Sequence, residues 1–386
     1  MATTESITRK ILFVMPSLQP RGGGRGVAAW MIEALKQEHD LAVLMWEPLD
    51  PEPINRYYGT ALGHGDFAVL RPPLWWRLVL DRIPFRLNLL RICLLWRRGK
   101  QISHSYDLLI STHNEADLGT PGIQYVHFPW VFFAEPEGSL RWYQRSAALL
   151  RWYYKRCLRI ADFSSERMKR NLTLVNSDWT GSKVYERHGL ASTTLYPPVV
   201  GGNTQLSWSA RENGFVCVGR LSPSKELDRV IDIVAGVRQA GHDVHLHLIG
   251  STTEPPYLDH IRRRVRDNAA WLFLDENPSR AELNQRLAEH RYGIHGMQEE
   301  HFGMAIGEMV RAGCVVFVPD GGGQVEIVDR DPRLLYNSVD DAVTKIVATL
   351  DDPSRQEALR THLSSRADVF SVERFIARVR ELVRDF

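Results

Sequence analysis

The run Gly293-Ile-His-Gly-Met-Gln-Glu-Glu-His-Phe-Gly-Met-Ala-Ile-Gly-Glu308, with the residues that follow it, constrains the fold more than any other stretch of the chain. An apolar helix after Gly303 leads through Gly313 into the short apolar run Cys314-Val-Val-Phe-Val318, then into Gly321-Gly-Gly323 and Glu326. Loop, helix and buried strand in that order are the repeating unit of a parallel α/β sheet. A helix starting near Gly303 leaves its first backbone N–H groups without intrahelical acceptors, and a phosphate or polar sugar can sit there. Glu300 then stands at the helix mouth and Glu308 about a turn and a half inside it. Two acids so placed, with no cysteine or histidine ligand cluster, point to a ligand with several hydroxyls rather than to a metal.

The same unit recurs along the chain. Lys10-Ile-Leu-Phe-Val-Met15 reads as a strand, Arg21-Gly-Gly-Gly-Arg-Gly26 as a glycine-rich turn, and Val27-Ala-Ala-Trp30 as the start of a helix. Further strands are expected at 41–45, 107–111, 123–127 and 172–176, several ending in a polar residue, as strands that line ligand clefts do. The second half repeats the pattern with strands at 214–219, 244–249, 271–274, 292–295 and 314–318 and a helix from Glu226 to Gln239. A length of 386 residues accommodates two such domains. They meet near Tyr196-Pro197-Pro198, where the prolines stiffen the crossing. The last stretch, from Phe370 onward, reads as a helix with Ser371 as its cap.

Gly219-Arg220-Leu-Ser-Pro-Ser-Lys225 follows the first strand of the second half. Arg220 falls at the strand's carboxyl end and Lys225 at the start of the next helix. Two cations on one short loop can embrace a diphosphate, the arginine through its planar fork and the lysine as a point charge. Gly22, Gly23 and Gly24 let backbone N–H groups approach a phosphate or sugar, although the run does not match G-x-G-x-x-G. His127 ends a strand ahead of Phe128-Pro129-Trp130, and His113 and Asn114 end the strand before it. The acid pair Asp329-Arg-Asp331 reads as a surface turn, so no metal is implied. Cys93, Cys157, Cys217 and Cys314 each sit in an apolar run and read as buried, reduced thiols.

The 293–308 motif, with its paired glutamates around His-Phe-Gly, resembles that of the family 4 retaining glycosyltransferases. Its wording, and Tyr125-Val-His-Phe-Pro129, are similar to the branch of GDP-mannose-dependent α-1,2-mannosyltransferases that extend lipid-linked oligosaccharides. The resemblance implies a GT-B fold: two Rossmann-like domains with a cleft between them and a C-terminal helix crossing back to the first. The corresponding division is 1–198 for the acceptor side, 199–368 for nucleotide-sugar binding and 369–386 for the helix. It also implies a metal-independent hexosyltransferase, mannose favoured, using a GDP- or UDP-linked sugar and a glycan or lipid-linked acceptor, with no cofactor. Carried onto this chain, His127, Arg220, Lys225 and Glu300 would serve catalysis. Gly22, Gly23, Gly24, Phe302, Gly303, Met304 and Glu308 would bind the donor, Glu308 through its ribose. Related mannosyltransferases tend to have a glutamate where this chain has Arg25, a departure in the donor or acceptor detail.

Residues 71–100 carry eight basic residues and one acid, and 141–159 six basic residues and no acid, with tryptophans and leucines interleaved. Such segments suit an anionic membrane surface. Nothing at the N-terminus reads as a signal peptide, and no apolar run is long enough to span a bilayer. The expectation is a cytoplasmic protein, peripheral on the inner face of the membrane, that does not bind nucleic acid. Two other readings use the same features: a nucleotide-sugar 2-epimerase of the GT-B fold, and a non-enzymatic membrane- or nucleic-acid-binding protein.

Overall fold

A computed structural model describes residues 8–19, 22–83, 87–129, 147–201, 206–251 and 254–386. Its contacts divide the chain into two units. The first is Met1–Asn176, Thr180–Leu195 and Ile376–Phe386, and the second is Ser177–Trp179 and Tyr196–Phe375.

In the first unit the apolar runs become strands β1 (Lys10–Val14), β2 (Asp40–Leu44), β3 (Ala68–Leu70), β4 (Leu108–Ser111), β5 (Ile123–Val126), β6 (Leu172–Val175) and β7 (Thr193–Thr194). They form one sheet in the order β3-β2-β1-β4-β5-β6-β7, all parallel. Helices α1 (Gly23–Leu35), α2 (Pro51–Tyr58), α3 (Leu74–Asp81), α4 (Asn88–Ile102), α5 (Ala147–Ile160), α6 (Ser165–Met168) and α7 (Asp178–His188) connect them. The central strand is fully covered: Ile11, Leu12 and Phe13 are wholly buried. Strand order reverses between β1 and β4, and a parallel sheet opens a crevice at its carboxyl edge at such a point.

The second unit repeats the plan with β8 (Glu212–Val218), β9 (His245–Gly250), β10 (Leu272–Glu276), β11 (His290–Ile294), β12 (Val315–Pro319) and β13 (Leu335–Tyr336), in the order β10-β9-β8-β11-β12-β13. Its helices are α8 (Leu227–Gln239), α9 (Pro255–Asp267), α10 (Arg280–Glu289), α11 (Met304–Arg311), α12 (Gln324–Ile327), α13 (Val339–Leu350) and α14 (Pro353–Ala367). The reversal here lies between β8 and β11. The terminal helix α15 (Val372–Asp385) is capped by Ser371, whose hydroxyl accepts from Arg374 N. Further along it, Arg380 pairs with Glu38 at 2.9 Å and donates to the Ala34 carbonyl. All four cysteines are free and buried.

Several elements differ from the sequence reading. The glycines at 22–24 do not form a loop ahead of a helix at Val27: α1 begins at Gly23, with Gly22 as its N-cap at φ 78°. Lys225 does not open the next helix. It ends a 3-10 turn, Pro223–Lys225, and Glu226, at φ 49°, turns the chain into α8. The two basic segments are not equivalent surfaces either. On α4, Ile92, Leu95 and Trp96 are buried, Arg91 pairs with Asp81, and Arg97 donates to the Ile160 carbonyl. On α3, Leu74, Trp75, Leu78 and Val79 stand exposed along one face, and Leu149 and Trp152 on α5 are exposed as well. Residues 84–86 and 141–146 of these segments lie outside the described residues. No described helix is long and apolar enough to cross a membrane. Asp331 is not on a surface turn: it is buried, with its carboxylate held by Arg333.

Candidate functional site

In the second unit the carboxyl ends of β8 and β11 bring Arg220, Lys225 and Glu300 to the switch point. Strand β8 ends at Val218, and Gly219 and Arg220 follow directly. The Arg220 side chain is exposed and, among the described residues, has no hydrogen-bond or ion-pair partner. The turn that carries Lys225 can lie against the loop after β11 because that loop has glycine at 296. A Cβ there would stand 2.7 Å from both the Lys225 and Glu226 carbonyl oxygens.

Lys225 Nζ is in tight contact with Glu300 Oε2, and both side chains are mostly covered. His295 Nε2 lies 3.2 Å from the same oxygen, outside hydrogen-bond alignment. Burial opposes ionisation of Glu300, but the His295 ring and the Lys225 ammonium outweigh it and hold the carboxyl below the usual carboxylate range. Burial in turn lowers His295, against the opposing pull of Glu300.

The loop bearing Glu300 is clamped through its backbone. Gly323 N donates to the Glu300 carbonyl at 2.7 Å, and Gln324 Nε2 donates to the carbonyls of Met297 and Gln298. The rest of the motif builds a helix mouth. Gly303, at φ 107°, is the N-cap of α11, a conformation open to glycine and strained for other residues. The Phe302 side chain is 3% exposed and packs against Tyr196 and Phe370, so only its backbone is presented with those of Gly303 and Met304. Glu308 lies in α11 and accepts from Arg280 Nη1 at 2.7 Å, and Arg280 also donates to the Val200 carbonyl. Burial raises the Glu308 carboxyl against the opposing pull of Arg280.

Within the second unit, the two carboxylate oxygens of Glu326 accept from Asp178 N and Trp179 N at 2.9 Å each. Ser177 donates to the His301 carbonyl at 2.6 Å, and the His301 ring stacks on Trp179.

In the first unit the glycine-rich start of α1 meets His127. A Cβ on Gly24 would come within 3.0 Å of His127 Nε2, so the glycine leaves room for the ring. Nε2 donates to the Thr112 carbonyl at 3.1 Å, and the backbone N–H of His127 donates to Asn114 Oδ1 at 2.8 Å. His113 is pushed down to about 4 by burial, with the nearby His127 and Arg25 adding to the effect.

The structure therefore brings Arg220, Lys225, Glu300, Gly303 and Met304 to one edge of the second unit, and Gly22, Gly23, Gly24 and His127 to one edge of the first. Three supporting residues had no local signal. His295, Arg280 and Gln324 contact the site across separations of five to 28 residues, and their type alone does not mark them. The histidines that come within metal-ligand distance of one another, His245, His247 and His290, stand at the opposite, amino ends of the strands, where no cluster was expected.

Residues 204–367 match the family model for glycosyl transferases group 1. The chain is 25% identical over 228 residues to GDP-Man:Man(3)GlcNAc(2)-PP-Dol alpha-1,2-mannosyltransferase of Dictyostelium discoideum, covering 53% of this chain and 45% of that protein. It is 28% identical over 173 residues to the enzyme of the same name from Mus musculus, covering 40% and 35%. The chain thus spans under half the length of these curated relatives. Among solved structures, Anabaena HepE in complex with UDP superposes at a TM-score of 0.71 with 17% identity, covering 98% of this chain and 100% of that one. WaaG, a glycosyltransferase involved in lipopolysaccharide biosynthesis, gives 0.66 with 14% identity over 95% and 98%. These likenesses show the GT-B fold, with its two parallel-sheet Rossmann-like domains.

Proposed function

We propose that this chain, with a glycosyl transferases group 1 domain in residues 204–367 and a GT-B fold, is a retaining hexosyltransferase that takes mannose from GDP-mannose. The acceptor is a glycan or lipid-linked saccharide, the class named for its curated relatives. The observation that carries the reading is Arg220: an exposed guanidinium with no partner among the described residues, at the switch point beside the Lys225–Glu300 pair. An arginine so placed is poised to grip two oxygens of a diphosphate with its planar fork.

In this reading Arg220 and Lys225 hold the diphosphate, and the N–H groups at the start of α11 add positive potential. Glu300, kept ionised by its neighbours, accepts hydrogen bonds from donor-sugar hydroxyls. Glu308, oriented by Arg280, takes the ribose. The acceptor oxygen forms its bond to the anomeric carbon on the face from which the diphosphate departs. The bond between that carbon and the diphosphate oxygen breaks, its electron pair stays with the phosphate, and the same phosphate oxygen takes the acceptor's proton. His127 and Gly22 to Gly24 of the first unit are assigned to sugar and phosphate binding. Two cations at the diphosphate supply the charge that a metal would otherwise bring, so turnover needs no added Mg²⁺ or Mn²⁺.

The exposed Leu74, Trp75, Leu78 and Val79 on α3 and Trp152 on α5, with Arg156 over the Trp152 ring at 5.6 Å, fit a surface that rests on an anionic membrane. A lipid-linked acceptor would be met there.

The test is incubation with GDP-mannose and a lipid-linked oligosaccharide, followed by NMR of the new anomeric centre. An α-linked mannose, formed equally well without added metal, is the expected result. Free mannose or an epimerised sugar with no glycoside would point to a different reaction on the same fold, and a β-linkage would overturn retention.

A further inference from the structure

The amino ends of β8, β9 and β11 carry a second cluster of chemistry, at the opposite edge of the sheet from Arg220. His245 and His247 are two apart on β9, so their side chains share one face. His290 opens β11, and β8 runs between the two strands. Gly214 on β8 is the register partner of His245, and a Cβ there would lie 2.3 Å from His245 Nε2. That missing side chain lets the His245 ring reach across β8 to His290.

Nε2 of His245 and Nε2 of His290 are 3.0 Å apart. Glu212 Oε2 stands 3.1 Å from the first and 3.7 Å from the second. The ligating atoms of the three histidines all lie within 4.8 Å of one another. With metal–nitrogen bonds of about 2.0–2.1 Å, neighbouring ligands of a tetrahedral zinc stand about 3.3 Å apart. The His245, His290 and Glu212 spacings bracket that value.

The outer contacts set the ring orientations. His290 Nδ1 is 2.7 Å from the Arg286 carbonyl, which can only accept, so the proton of this neutral ring sits on Nδ1. His247 Nδ1 is 2.6 Å from Asp275 Oδ2. Carboxylate and carbonyl acceptors on Nδ1 are the partners that orient metal-ligating histidines. Burial lowers His245, and pushes His290 down to about 4. Glu212 is half exposed and His245 a quarter exposed, so an ion can enter from solvent.

We propose that His245, His247, His290 and Glu212 form a binding site for a first-row divalent metal, zinc in particular, oriented by Asp275 and the Arg286 carbonyl. Three imidazoles suit zinc, and a mostly nitrogen ligand set disfavours magnesium. The ion would pin β8, β9 and β11 together at the edge remote from Arg220. It acts on the stability of the second unit and takes no part in sugar transfer.

The test uses the full chain, stripped with chelator, dialysed, and titrated with Zn²⁺ by calorimetry and with Co²⁺ by visible absorption. One equivalent of Zn²⁺ should bind and raise Tm, and Co²⁺ should show the bands of a tetrahedral site. His245→Gln should abolish both, and Asp275→Asn should weaken binding about 10–100-fold. His104→Gln, at an exposed histidine of the first unit, should change neither. His290→Gln removes a buried ring, so His245→Gln, checked for folding by circular dichroism, is the decisive variant. No saturable Zn²⁺ binding, an octahedral Co²⁺ spectrum, or wild-type binding by His245→Gln would overturn the proposal and leave a hydrogen-bonded histidine cluster only. None of these readouts depends on nucleotide-sugar binding, so this proposal and the transferase reading fail separately.

Discussion

Removing either member of the Lys225–Glu300 pair should damage stability and transfer together, and removing both should cost less stability than the sum. Their side chains are 13% and 18% exposed. Two unit charges at about 4 Å in an effective dielectric of about 20 attract by about 4 kcal/mol, which desolvation largely offsets. Truncating one partner leaves the other charge covered and unpaired, which costs about 3–5 kcal/mol in a buried pair. Lys225→Met and Glu300→Gln should each lower unfolding free energy by about 3 kcal/mol in urea titrations. The double variant should fall short of additivity by about 1–3 kcal/mol. Acid titration adds a signature. Glu300 is held below its usual range, so its share of stability is present above the unfolded carboxylate value and is lost as pH falls through the folded one. In Lys225→Met that loss should be smaller and complete at higher pH. Transfer by each folded single variant should fall by about 2–4 kcal/mol of transition-state stabilisation, roughly 30- to 1,000-fold. Additive stabilities within about 0.5 kcal/mol, together with wild-type turnover, would refute the reasoning.

Other tests are more local. Asp117 is fully buried and accepts from Arg167, Lys100 and Ser164 N, so Asp117→Asn should lower unfolding free energy by about 3–5 kcal/mol, read by chemical denaturation. His113 is pushed from 6.5 to about 4, so the unfolded chain binds its proton first and stability declines as pH falls from about 6.5 towards 4. This group alone accounts for about 3 kcal/mol of that decline, and His113→Gln should flatten the acid limb of a Tm-versus-pH curve. Trp75→Ser with Trp152→Ser should reduce binding to anionic vesicles at high salt without altering nucleotide-sugar affinity, measured by vesicle sedimentation. Equal sedimentation of wild type and variant would assign α3 and α5 to another contact.

Much of this fold is legible because its strands are buried on both faces and end in glycine or polar residues. Runs such as 10–15 and 314–318 need no partner to be recognised. The short strands β3, β7 and β13, of two or three residues, carry too little pattern to stand out, and pairing with a longer neighbour defines them. The helix start at Gly23 is hidden because glycine is a poor helix former; one residue on, the room Gly24 leaves for His127 outweighs propensity. In the candidate site, Arg220 and the helix mouth follow from local order along the chain. The engagement of Glu300 by Lys225 spans 75 residues and that of Glu308 by Arg280 spans 28, so both belong to tertiary packing. The histidine cluster was invisible for the same reason, since His245 and His290 are 45 residues apart and meet only through a glycine on the strand between them.

The central claim is that Arg220 and its neighbours bind the diphosphate of a nucleotide sugar. Calorimetric titration of GDP-mannose, with UDP-, ADP- and TDP-sugars beside it, into wild type and Arg220→Ala tests it directly. Arg220 is exposed and without a partner among the described residues, so its removal should leave Tm unchanged. Charge-assisted hydrogen bonds contribute about 1.5–3 kcal/mol, so the variant should bind GDP-mannose roughly 10- to 150-fold more weakly. Absence of binding by every nucleotide sugar, or wild-type affinity in Arg220→Ala, would contradict the account.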